Sequence, residues 1–74
     1  MQLAMSADER LQFGMRLIVS RQNNDMTQTE VADEIGCHTS SVSDWENGRT
    51  MPSIASLRRL CEALGVSADY LLDV

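Results

Sequence analysis

The side chains with chemistry to offer in this sequence are hydrogen-bonding groups, and most of them lie between Thr27 and Ser53. Nucleophiles and proton carriers are scarce. His38 is the single histidine, and no glycine-rich phosphate loop, triad or metal cluster is visible. Cys37, His38 and Cys61 lack the paired ligand spacing of a structural zinc site. Both cysteines fall in the apolar phase and read as buried free thiols of a cytoplasmic protein. Catalysis is therefore not expected, nor is any cofactor. What remains is recognition. Thr39, Ser40, Ser43 and Asp44 sit on one short run and point away from the apolar pair Val42 and Trp45. Serine and threonine hydroxyls bond any base edge, the Thr39 methyl suits a thymine methyl, and Asp44 can accept from cytosine N4.

The elements that must hold these groups are short. Thr27 and Glu30 form a capping box at the start of one helix. Val31 and Ile35 lie four apart on its inner face with Ala32 beside them, and Gly36 stands where a left-handed C′ residue is wanted. A second run, Thr39 to Glu46, is closed by Asn47-Gly48. Helices this short need tertiary support. A turn of about three residues makes them cross steeply, and Ala32 permits a close approach. This is a helix-turn-helix over residues 27–48, an arrangement whose second helix can enter a DNA major groove.

TQTEVADEIG, a second helix ending WENG, then Pro-Ser and LRRLCEALGVSADYLL resemble the lambda-repressor-like helix-turn-helix family of phage repressors and Cro proteins, over about Phe13 to Leu72. The resemblance implies an all-α, five-helix DNA-binding domain with the helix-turn-helix at helices 2 and 3. It also implies a double-stranded DNA operator with two-fold symmetry, bound by a homodimer. By position it makes Gln28 a phosphate clamp at a helix N-terminus, Asn47 a phosphate contact, and Arg21 with Glu46 a partly buried structural ion pair. Arg49 and Thr50 fall in the loop expected beside the DNA backbone, and Ser53 opens a helix whose N-terminus can face a second phosphate. His38 stands at an N-cap where the family has serine or threonine. It caps poorly, and when protonated it can reach a phosphate.

The rest of the chain fits one domain of 74 residues. Residues 1–6 are a lead. Ser6 caps a first helix with Asp8 and Glu9 in its first turn. Ser53 and Ser67 cap the fourth and fifth helices. Ile54, Leu57, Leu60, Cys61 and Leu64 mark one face of the fourth. The expected core is Leu17, Val31, Ile35, Val42, Trp45, Leu57, Leu60 and Leu64, with Trp45 the most central side chain of the recognition helix. No signal peptide or membrane span is apparent, and no separate oligomerisation domain is expected. A dimer would then use Gly65 to Leu72, or Ile18 and Val19, which replace the family's usual charged residues. The net charge is −5, with six arginines and no lysine. That predicts weak non-specific DNA binding. It keeps a second reading open, a helix-turn-helix fold whose acidic surface binds a basic protein partner.

Overall fold

Local capping chemistry sets where the helices start. The computed structural model describes residues 5–74, so most of the expected lead, residues 1–4, lies outside the described residues. Five helices follow: α1 (Ala7–Asn23), α2 (Gln28–Ile35), α3 (Thr39–Glu46), α4 (Ile54–Leu64) and α5 (Ala68–Leu72), with no strand among the described residues. Ser6 and Glu9 form a capping box, as do Thr27 and Glu30. Ser53 and Ser67 accept from the N–H three residues on. His38 alone occupies an N-cap without a side-chain cap bond. Each helix is followed by a left-handed residue: Asp25, Gly36, Gly48, Gly65 and Asp73.

Packing against neighbours supplies the stability that helices of five to eight residues lack. α3 is held between α1 and α2, α4 lies on α2, and α5 closes onto α1 and α4. Phe13, Leu17, Val31, Ala32, Ile35, Val42, Trp45, Leu60, Leu64 and Leu71 form one core. Three expectations are corrected here. Val42, fully buried, lies deeper than Trp45, which keeps 6% of its surface exposed. Val42 sits mid-helix between α1 and α2, whereas the large indole lies at the end of α3. Leu57 is only partly buried, because it faces the α4–α5 junction and a five-residue α5 is too short to cover it. Ile54 is 86% exposed. It is the first residue of α4, and side chains tilt toward a helix's N-terminus, so it projects past the packed interface.

One stripe of α1 grips the C-terminal end of α3. A Cβ on Gly14 would lie 2.8 Å from the Trp45 carbonyl oxygen and closer still to that of Glu46. Only glycine lets the two backbones meet there. Arg10, one turn before Gly14, donates from Nε to the Gly48 carbonyl at 2.9 Å. Arg21, two turns after it, meets Glu46. Cations near a helix C-terminus also suit its dipole. The helix that carries the recognition groups is thereby fixed to the longest helix of the bundle.

Candidate nucleic-acid interface

The Glu46 carboxylate is the anchor of the site. Its side chain is 3% exposed and that of Arg21 16%. Arg21 Nε donates to Glu46 Oε2 at 2.7 Å and Arg21 Nη2 to Oε1 at 3.1 Å. A third donor, Gln28 Nε2, reaches Oε1 at 3.0 Å. Arg21 Nη1 also donates to the Met26 carbonyl at 2.9 Å, tying the α1–α2 turn into the network. The bond from the guanidinium to Glu46 raises the Arg21 pKa further above its ordinary value. Burying a carboxylate is costly unless it is paired and fully hydrogen-bonded, and three donors meet that requirement.

Beside this network lies an open hollow of about 500 Å³, lined by residues that include Arg21, Asp25, Thr27, Gln28, Thr29 and Thr39. It sits where the N-terminus of α2 meets the start of α3. Free N–H groups and the positive end of α2 face it, which is the chemistry an anion wants. Among the described residues, Gln28 Nε2 donates only to Glu46, which leaves its second amide hydrogen uncommitted. The Thr39 hydroxyl donates to that of Thr29 at 3.3 Å, so these two threonines link the starts of the two helices.

The other expected contact residues sort into separate small groups. Ser40 is exposed and its hydroxyl has no hydrogen-bond partner among the described residues, while Ser43 and Asp44 are half-buried along the same side of α3. Asn47 turns back onto α3, donating from Nδ2 to the Ser43 carbonyl at 2.8 Å and to its hydroxyl at 3.3 Å. Arg49 is paired with Asp44, Nη1 to Oδ1 at 3.3 Å. Thr50 and His38 are exposed. Ser53 is occupied in capping α4, through Ser56 N–H at 3.1 Å, and shares no hydrogen bond with the other candidates. Two participants escaped the sequence reading. Thr29, next to Gln28, lines the hollow, and its place at the second position of α2 was the available signal. Arg10 supports α3 from behind, and its place one turn before Gly14 was the corresponding sign.

Cys37 and Cys61 are free and only partly buried. Burial pushes both thiols above their ordinary pKa, which keeps them protonated and unreactive near neutrality. No helix among the described residues is long and apolar enough to cross a membrane.

Two short crossed helices, the second presenting a polar outer face and both braced by a helical bundle, define a helix-turn-helix domain. The helix-turn-helix family matches residues 20–71, and the chain belongs to it. The family is one of DNA-binding transcription regulators rather than enzymes. The chain is 36% identical over 56 residues to the cryptic phage CTXphi transcriptional repressor RstR of Vibrio cholerae, covering 76% of this chain but only 50% of that protein. It is 33% identical over 70 residues to the control protein C.BamHI of Bacillus amyloliquefaciens, covering 93% of this chain and 86% of the relative. Among solved structures it is similar to the restriction-modification controller protein C.AhdI of Aeromonas hydrophila. There the TM-score is 0.81 at 26% identity, over 86% of this chain and 97% of that one. The chain spans about half the length of the phage-type relatives it matches.

Proposed function

We propose that this chain is a sequence-specific double-stranded DNA-binding regulator, a cytoplasmic repressor of phage or bacterial type that occupies a two-fold operator as a dimer. The observation that carries this reading is the Arg21–Glu46–Gln28 network. It holds an amide at the positive end of α2, beside a hollow that opens onto the polar start of α3. Gln28, His38, Asn47, Arg49, Thr50 and Ser53 are assigned to phosphates; Thr39, Ser40, Ser43 and Asp44 are assigned to base edges. The relatives named as a phage repressor and as control proteins support the regulatory role. For Gln28 the assignment requires that it serve Glu46 and a phosphate at once, which its two amide hydrogens allow. Asn47 would have to leave Ser43 or offer its second hydrogen.

Selection from random duplex DNA tests the reading. The expected product is a pair of inverted half-sites about one helical turn apart, bound with a steep salt dependence. A selection that enriches no sequence, together with capture of a basic protein, would favour the acidic interaction module instead. The net charge of −5 is the observation on that side.

A further inference from the structure

The cation of the recognition face is not free. A Schellman turn closes α3: Gly48, with φ of 72°, sends its N–H to the Trp45 carbonyl at 3.2 Å, and the Arg49 N–H reaches back to the Asp44 carbonyl at 2.9 Å. This backbone tie sets Arg49 directly over the last turn of α3. Its guanidinium then meets the carboxylate of the same residue that binds its amide, Nη1 to Asp44 Oδ1 at 3.3 Å. The two side chains remain 65% and 43% exposed, so both are open to an incoming ligand. Asp44 lies four residues after Ser40, on the outward side of the helix. The other arginines in ion pairs are held elsewhere: Arg16 by Asp73, Arg21 by Glu46 and Arg58 by Glu62.

We propose that Asp44 is a positioning residue that withholds Arg49 from the phosphate backbone, lowering the domain's affinity for DNA whatever its sequence. The proposal rests on the DNA-binding reading above. An exposed ion pair is weak, so it does not lock the arginine. It neutralises the charge and sets a competitor at short range, which any phosphate must displace. Non-specific binding is almost wholly phosphate contact, and cognate binding adds base-edge bonds to those same contacts. A carboxylate masking the only arginine among the assigned contacts therefore lowers both affinities by a similar factor and keeps occupancy of arbitrary DNA low.

The test is a four-protein cycle of wild type, Asp44→Asn, Arg49→Ala and the double variant. Each is measured on the selected operator and on a scrambled duplex across a salt series. Arg49 is exposed and Asp44 half-buried, and unchanged circular dichroism and melting verify the fold. Asp44→Asn should raise affinity for the scrambled duplex roughly threefold or more, and steepen the salt slope by about one. Arg49→Ala should have a small effect in the wild-type background and a larger one beside Asp44→Asn. An equal gain from Asp44→Asn with and without Arg49 would overturn the proposal, since the carboxylate would then act by direct repulsion. An unchanged slope would overturn it too. If wild type binds the operator while either result is seen, the DNA reading stands and only this inference falls. If wild type binds no duplex, both fall.

Discussion

Glu46 accepts from Arg21 twice and from Gln28 once, inside a domain whose total stability should be on the order of 5–10 kcal/mol. Removing either charge strands the other where water reaches it poorly. Arg21→Ala and Glu46→Ala should each cost about 3–5 kcal/mol in chemical denaturation. The double variant should lose less than their sum by about 0.5–3 kcal/mol; additive losses would show that the pair is not coupled. Gln28→Ala should scarcely alter stability, because Glu46 keeps both arginine bonds, yet it should weaken binding to every duplex alike. A second residue-scale expectation concerns Glu9. The Ser6 N–H and hydroxyl hold its carboxyl below the usual 4.5. The capping contribution is then present above that value and is lost as pH falls through the lowered one. An NMR titration of Glu9 should give a midpoint under 4.5, with the start of α1 fraying as the proton binds.

At the scale of the helices, the contact that decides the geometry is α1 on α3. Helix propensity alone favours alanine over glycine at position 14 by about 1 kcal/mol. The tertiary structure opposes it, because a Cβ there would press on the carbonyls of Trp45 and Glu46, which are backbone atoms and cannot swing aside. Gly14→Ala should therefore destabilise by about 1–3 kcal/mol, and should weaken DNA binding by shifting α3 away from Arg21. Gly36→Ala is the control. Nothing lies within 4 Å of its added Cβ and only the positive φ of 77° opposes it, so about 1–2 kcal/mol is expected with DNA binding kept. A stabilising Gly14→Ala would contradict the close approach.

The whole molecule is acidic, and two of its apolar surfaces bear on assembly. On α1, Leu11, Met15 and Val19 are 47%, 58% and 45% exposed. At the α4–α5 junction, Ile54, Leu57, Cys61 and Ala68 line an apolar groove. For the proposed dimer we favour the α4–α5 side, which contains the Gly65 to Leu72 candidate. Ile54→Glu should then shift sedimentation equilibrium toward monomer and lower operator affinity, while Val19→Glu should leave both nearly unchanged. The reverse pattern would move the interface to α1, and a monomer at high concentration with operator present would remove the dimer altogether. His38 is exposed, so substituting it should alter binding without altering the fold.

The helices were legible because their signals are local. Thr27 with Glu30, Ser53 and Ser67 act on N–H groups three residues away, and the alternation of apolar residues needs no knowledge of what lies opposite. The bounds of α3 followed from the same short patterns, whereas the pairing of Arg21 with Glu46 followed only from the family resemblance. What the folded chain added depends on how helices cross. Gln28 meets Glu46 across 18 residues and Arg10 meets Gly48 across 38. Gly14 is needed only because α3 ends against it, and Ile54 is exposed only because α4 begins beyond its packing partners. Arg49 and Asp44 are five residues apart, yet their pairing required the turn geometry at Gly48. Capping and periodicity are written in neighbouring residues, whereas distances between side chains on different helices are set by packing the whole core at once.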